Sequence, residues 1–247
     1  MAQAIEVKDL TLGYGSNVVQ EHVSFSVKAG EIFIVMGDSG CGKSTLMRHM
    51  IGLLPPLAGE IRYDGKSLWG VSRQERLSMM RHFGVLFQTG ALWSSLTIAE
   101  NVALPLEHFT SLNKSEVNDI VSYKLALVGL AGFEEFYPAE ISGGMQKRVG
   151  LARAMALDPK VLFCDEPLSG LDPIASKRLD DLILELRASL GTTIVVVTHE
   201  LESIFGIADN AIFLDAEAKT VIASGDPHVI LKETDNPKIR RFLTRSR

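Results

Sequence analysis

The chain reads as an α/β protein: a mostly parallel, doubly covered sheet, an antiparallel β subdomain at the start, and a helical segment inserted midway. Three observations predict this. Ile32 to Met36, Val161 to Cys164 and Thr193 to Val197 are continuous apolar runs without polar alternation, as in strands covered on both faces of a parallel sheet. Ile5, Val7, Leu10, Leu12 and Tyr14, then Val23, Phe25 and Val27, mostly alternate with polar residues, which predicts half-buried antiparallel strands. Between Gln88 and Ser142 the signals become helical.

Taken in order, Asp64-Gly65 between Ile61-Tyr63 and Leu68 adds a short hairpin to the antiparallel piece. An amphipathic helix is expected from Ser44 to Leu54, ended by Pro55-Pro56. Ser72 with Glu75 and Thr97 with Glu100 fit capping boxes, in which the hydroxyl accepts the amide three residues on and the Glu answers. Val117, Ile120, Val121 and Leu125 predict a helix to about Val128 before Gly129. Asp172-Pro173 opens a long helix with Leu179, Leu182, Ile183 and Leu186 as its stripe and Gly191 as its stop. The expected division is one domain over 1–247, with 1–87 and 150–234 as core plus β subdomain, 88–149 as the helical subdomain and 235–247 as a tail.

Composition narrows the function classes. With 247 residues, 46% hydrophobic and 22% charged, the chain has the makeup of a globular protein. A net charge of -5 argues against a broad nucleic-acid footprint, so no nucleic-acid partner is expected. The one basic cluster is Lys238, Arg240, Arg241, Arg245 and Arg247, read as a solvated tail or a contact for an acidic partner or lipid headgroups. No apolar run reaches the roughly 18–20 residues that a membrane-spanning helix needs, and the N-terminus has no signal-peptide pattern. Cys41 and Cys164 alone do not make a disulfide framework, so a reducing cytosol is the expected compartment.

Gly37, Asp38, Ser39, Gly40, Cys41, Gly42, Lys43, Ser44 and Thr45 satisfy GxxxxGK[ST] between a predicted strand and a predicted helix. Glycines let backbone amides wrap phosphates, the helix N-terminus faces the anion, Lys43 adds positive charge and Ser44 offers a hydroxyl to Mg²⁺. Asp165 and Glu166 end a buried strand. Adjacent side chains on a strand point to opposite sides, so Asp165 can hold the Mg²⁺ shell while Glu166 polarises an attacking water. Ser142, Gly143, Gly144 and Met145 open another helix, either a second anion-binding N-terminus or an N-cap with flexible glycines.

The order of phosphate loop, Gln88 after an apolar strand, SGG-type signature, strand ending in Asp-Glu, Ser169-Gly-Leu-Asp172 and strand-terminal His199 resembles the ATP-binding-cassette ATPases along the chain. That resemblance implies a P-loop NTPase fold with a RecA-like core, and ATP and Mg²⁺ as ligands. It implies that Tyr14 stacks on adenine, that Gln88 senses Mg²⁺, and that Ser142 to Met145 grip the γ-phosphate held by a second copy of the chain. It also implies that Asp172 communicates across that dimer and that His199 contacts the γ-phosphate. Plainer readings stand beside these: Tyr14 as a strand residue, Gln88 as a surface amide, Asp172 as a helix cap.

The interval between Gln88 and Ser142 leaves room for a compact helical lobe and none for the long coiled coil of chromosome-maintenance relatives. Phe87 to Leu106, the SGGM signature followed by Gln-Lys-Arg, and Leu171-Asp-Pro-Ile-Ala-Ser176 are similar to the Mla-type phospholipid-trafficking ATPases, which pair with mammalian-cell-entry substrate-binding proteins. The resemblance implies ATP hydrolysis coupled to lipid transport through an integral membrane permease, at the cytoplasmic face of the inner membrane. Asp235 to Leu243 resembles the ends of that group, where such a tail helps the two subunits hold each other. The alternative is a non-transport ATPase that transmits force to a membrane protein such as a cell-wall regulator; a soluble kinase ranks last, having no use for the SGG signature. Met145 replaces the commoner Gln, so no polar side-chain contact is assigned to it.

Overall fold

The computed structural model describes residues 3–244. In chain order its elements are β1 (Gln3–Tyr14), β2 (Asn17–Lys28), β3 (Ile32–Gly37), α1 (Lys43–Met50), β4 (Ala58–Tyr63), β5 (Lys66–Ser67), α2 (Arg73–Met80), β6 (Phe83–Leu86), α3 (Ile98–Phe109) and α4 (Lys114–Leu127). They continue with α5 (Gly143–Ala154), β7 (Val161–Asp165), α6 (Pro173–Leu190), β8 (Thr193–Val197), α7 (Leu201–Ile207), β9 (Asn210–Asp215), β10 (Thr220–Gly225), α8 (Pro227–Glu233) and α9 (Pro237–Thr244).

The strands make two sheets. One is antiparallel, in the order β2-β1-β4-β5. The other runs β10-β9-β3-β8-β7-β6, with β9, β3, β8, β7 and β6 mutually parallel and β10 antiparallel at the edge. The unbroken apolar runs are explained by burial on both sides. Ile34 and Met36 of β3, Leu162 and Cys164 of β7 and Ile194 and Val196 of β8 enter a core shared with α3 to α6. Their neighbours Phe33, Val35, Phe163, Val195 and Val197 enter a second core with Leu46, Met47 and Met50 of α1 and Val7, Leu10 and Leu12 of β1. Each such large side chain, removed from water, contributes about 1.5–3 kcal/mol before entropy is counted.

Local chemistry sets the helix ends. Asp172 Oδ1 accepts from Ile174 N and Ala175 N at 2.9 Å each, and Gly191 closes α6 at φ 66°, as its sequence predicts. Thr97 forms a full capping box with Glu100, and so does Asn113 with Glu116, which opens α4 ahead of the expected stripe. At Ser72 only half of the box is made: its hydroxyl accepts from Glu75 N, while the Glu75 carboxylate turns to Lys66 at 3.7 Å. α1 ends at Met50 rather than Leu54. Gly52 turns at φ 79°, and Gly52 N and Leu53 N close the last turn onto His49 O and Arg48 O, so the prolines follow a helix that has already stopped.

Five elements lie outside the sequence expectation: α7, β9, β10, α8 and α9. The basic stretch is not a loose tail as far as Thr244. α9 buries Ile239 and Leu243, Phe242 meets Phe213 edge-on at 5.0 Å, and Lys238 pairs with Asp215 at 3.2 Å and Glu217 at 2.5 Å, all within one chain. Arg245 and Arg247 lie outside the described residues. No helix among the described residues is long and apolar enough to cross a membrane.

α6 and α7 are tied by a buried polar pair, Ser203 Oγ donating to Asp180 Oδ1 at 2.9 Å. Burial pushes the Asp180 carboxyl from its ordinary 3.8 up to about 6, with Ser203 opposing the shift. A raised acid pKa means that the native state holds the proton more tightly than the unfolded one, so the ionisation cost is absent below about pH 3, sets in above the ordinary 3.8 and is complete above about pH 6. Asp180→Asn is expected to leave stability near pH 3 unchanged and to raise it at pH 7 by about 1–3 kcal/mol in urea unfolding. A difference that does not widen between those pH values contradicts the assignment.

Candidate active site

Because five neighbouring strands run parallel, their carboxyl ends lie along one edge. That edge opens onto a cleft of about 1190 Å³ lined by Asp38 to Gly40 and Gly42 to Thr45 after β3, Gln88 after β6, Glu166 after β7, His199 after β8 and Asp215 ending β9.

The loop from Gly37 to Gly42 is built on backbone. Gly42 sits at φ 101°, and a Cβ there would come within 2.7 Å of Val19 Cγ1, so the position admits no side chain. Gly40 faces open space at φ 81°, while Asp38 and Ser39 form the exposed lip. Cys41 is turned inward, and burial raises its thiol pKa, so only its backbone serves the loop. Gln20, buried on β2, braces the loop from below: its Nε2 donates to Cys41 O at 2.6 Å and to Asp215 O at 3.0 Å. Lys43 Nζ donates to Gly37 O at 2.9 Å and Asp38 O at 3.0 Å, which holds the ammonium inside the loop. No side chain caps α1, so its first amides are free for an anion.

The two adjacent acids diverge. Ser44 Oγ donates to Asp165 Oδ1 at 2.9 Å, whereas Glu166 Oε1 lies 2.9 Å from His199 Nδ1. The divergence is sharper than strand alternation alone, because Glu166 occupies the left-handed region at φ 45°, held by its N–H on Val197 O at 2.8 Å and its C=O under Ser169 N at 3.1 Å. A non-glycine residue kept there costs about 1–3 kcal/mol and persists only where the surroundings impose it. The Ser44 hydroxyl, the Asp165 carboxylate and the Gln88 amide oxygen are hard oxygen donors, and Gln88 Nε2 is spent on Ser169 Oγ at 3.2 Å. Among the described residues no cluster of three or more acids, histidines or cysteines could hold a metal unaided. That set fits Mg²⁺, which takes one or two protein oxygens and completes its shell with water and substrate phosphates.

Tyr14 stands exposed at the end of β1, its hydroxyl 3.4 Å from Thr45 Oγ1 and accepting from Arg48 Nη1 at 2.8 Å. The Thr45 hydrogen bond, then Arg48, lowers the phenol's pKa against the effect of burial. Ser142 caps α5 through Met145 N at 3.3 Å, and the Met145 side chain packs against the core. Gly143 has open space where a side chain would be, and Gly144 lies against Leu171 and Ala175. None of Ser142 to Met145 lines the cleft of its own chain. Asp172 is occupied as the cap of α6.

Lys147 is a site residue the sequence did not single out. It is buried, and its Nζ donates to Gln88 O and, at 3.5 Å, to Glu166 O. Burial lowers the pKa of its ammonium, while Glu166 and Asp165 oppose that shift. Arg153, six residues further along α5, likewise holds Gly90 O at 2.7 Å and Ala91 O at 2.8 Å. Lys147 belongs to the Gln-Lys-Arg run after SGGM, which carries a family likeness without a role for it, and Arg153 carries no motif. Lys238, Arg241 and Phe242 of α9 complete the rim.

The ABC transporter family model matches residues 20–169. Over 243 residues the chain is 44% identical to the probable ribonucleotide transport ATP-binding protein mkl of Mycobacterium leprae, covering 98% of this chain and 69% of that protein. It is 41% identical over 231 residues to the intermembrane phospholipid transport system ATP-binding protein MlaF of Haemophilus influenzae, covering 94% of this chain and 87% of that one. The ATP-binding cassette MJ0796, solved as a dimer in a post-hydrolysis state with ADP and Pi, superposes with a TM-score of 0.81 at 29% identity, covering 90% of this chain and 98% of that one.

Lys147→Met keeps the length of the side chain but leaves the Gln88 and Glu166 carbonyls without their donor. Turnover of ATP is expected to fall at least about tenfold with ATP affinity changed less than about threefold, since the bonds lost orient the reacting end and not the phosphate loop. Unchanged turnover, or an equal loss in affinity, contradicts this role.

Proposed function

This chain belongs to the ABC transporter family as an ATP-binding subunit, and we propose on that footing that two copies bind and hydrolyse ATP between them to drive an integral membrane permease. The observation that carries the dimer is the separation of the two anion-binding helix ends. The phosphate loop opens into the cleft, whereas Ser142 to Gly144 open α5 outside it with Gly143 against open space. Each half needs a partner, and head-to-tail pairing of two chains supplies it twice.

In this reading the loop amides and Lys43 hold the ATP phosphates, Tyr14 stacks on the base, and Ser142 to Met145 of the second copy close on the γ-phosphate through backbone amides. Ser44, Asp165 and Gln88 would hold Mg²⁺, which when bound would supply positive charge against the phosphates. Glu166 accepts a proton from the attacking water. His199, 2.9 Å from its carboxylate, keeps Glu166 aimed and reaches the γ-phosphate from the same strand edge. Asp172, beside the exposed Ile174, lies where the second copy would press on α6. ATP closes the dimer and hydrolysis opens it, which is the stroke passed to the permease.

For the cargo we favour phospholipid moved between membranes, with a cell-entry-domain substrate-binding protein as a further partner. The stretch Phe87 to Leu106 supports it, together with the likeness to MlaF, which is named for intermembrane phospholipid transport. Trp93 in that stretch is 63% exposed although its N–H and C=O are both pinned by the buried Asn101 side chain, at 2.8 and 3.1 Å. A large aromatic held rigidly in water is suited to receive a short helix from the permease. In this reading the subunit works at the cytoplasmic face of the inner membrane.

Glu166→Gln keeps the shape of the site and removes the base. Hydrolysis is expected to fall by about 10²–10⁴-fold, and ATP should then hold a stable dimer visible by light scattering. Normal turnover would remove Glu166 as the base, and a monomer at saturating ATP would remove the sandwich.

A further inference from the structure

Thr45, Arg48 and His49 are spaced i, i+3 and i+4 along α1, so they share one helix face. That face meets the corner where β1 turns into β2. Thr45 and Arg48 reach the Tyr14 hydroxyl, while His49 Nε2 accepts the Gly13 N–H at 3.3 Å. The two halves of the contact differ in setting: Tyr14 and Arg48 are exposed, whereas Gly13 is buried and His49 wholly so.

Gly13 has little freedom of its own. A Cβ would stand 2.1 Å from Asn17 O, and the β1–β2 register slips on either side of Leu12, so this amide takes its acceptor from α1. Accepting at Nε2 requires a neutral imidazole with its proton on Nδ1. Burial lowers the pKa of His49 and so favours that neutral form. Nδ1 is buried with no hydrogen-bond partner among the described residues. The ring therefore accepts a buried main-chain amide beside an exposed aromatic, on the helix whose first turn carries Lys43 and Ser44.

We propose that His49 is a positioning residue for nucleotide binding: it holds the Gly13–Tyr14 corner on α1, and so fixes the span between the base-stacking phenol and the phosphate-binding end of the same helix. The proposal rests on the reading of Tyr14 as the base platform. It deepens that reading by making one helix answer for both ends of the nucleotide. Arg48 cannot substitute, because its hydrogen bond to the Tyr14 hydroxyl is exposed and competes with water, whereas the buried Gly13 amide has no such alternative.

The test compares affinity for ATP with affinity for inorganic tripolyphosphate, which has no base, by titration calorimetry on the full chain with Mg²⁺. His49→Asn and His49→Gln are both polar and smaller than the imidazole, but only Gln places its amide oxygen where Nε2 stands. His49→Asn is expected to weaken ATP about tenfold and tripolyphosphate less than about twofold, and His49→Gln to retain most of the ATP affinity. Intact tripolyphosphate binding also reports a folded phosphate loop. His49→Asn on a Tyr14→Ala background should add no further loss. If Tyr14→Ala alone leaves ATP affinity unchanged, the base-platform reading fails and the proposal with it. If Tyr14→Ala weakens ATP while His49→Asn does not, or if Asn and Gln lose ATP and tripolyphosphate alike, the role of His49 is overturned and the Tyr14 reading stands.

Discussion

Five parallel strands in register, β9-β3-β8-β7-β6, are the constraint on which the rest depends. Parallel pairing sends every carboxyl end to the same edge, so a loop after β3, two acids at the end of β7 and a histidine after β8 meet without any long-range reach by their side chains. The pairing of β7 with both β6 and β8 brings Asp165 and Glu166 between Gln88 and His199. The pairing of β3 with β8 and β9 places the phosphate loop beside His199 and Asp215. A sheet of this kind must be covered on both faces, which is why its strands are apolar at successive positions and why two cores, not one, support the cleft.

On that edge, cations and amides from elsewhere hold main-chain carbonyls. Lys43 binds Gly37 and Asp38, Gln20 binds Cys41 and Asp215, Lys147 binds Gln88 and Glu166, and Arg153 binds Gly90 and Ala91. Fixing backbone leaves the functional side chains free to face the cleft. It also links α5 to the reacting end, because Lys147 and Arg153 both belong to that helix, which opens at Ser142. A displacement of α5 by a second copy or by a permease would thus be felt directly at Gln88 and Glu166. Under the proposed reading, that is how closure of the dimer and alignment of the base become one event.

Much of this frame was legible in the residues. The apolar runs located β3, β7 and β8, the Asp172-Pro173 start and Gly191 stop bounded α6, and the glycine spacing marked the phosphate loop. What was illegible depends on partners distant in the chain. β10 alternates only weakly and sits at a sheet edge, so its pairing with β9 gives no periodic signal. Lys238 in isolation is one charge in a basic stretch; Asp215 and Glu217 turn it into an anchor. His49 looks like any histidine in an apolar helix until the Gly13 amide is seen opposite it, and Lys147 differs from its neighbour Arg148 only in what stands at the end of its side chain. The early stop of α1 follows from Gly52 adopting a left-handed turn that the prolines three residues later had obscured.

In the proposed dimer each ATP is held by the phosphate loop of one copy and the Ser142 end of another. Lys43→Ala should disable the first and Ser142→Arg the second, each abolishing hydrolysis in a pure dimer. Mixing the two inactive chains at equal amounts creates mixed dimers with one site free of both lesions, and hydrolysis should return to about a quarter of the unmutated rate if half the dimers are mixed and one of two sites works. A mixture no more active than its separate components would contradict a site shared between two copies.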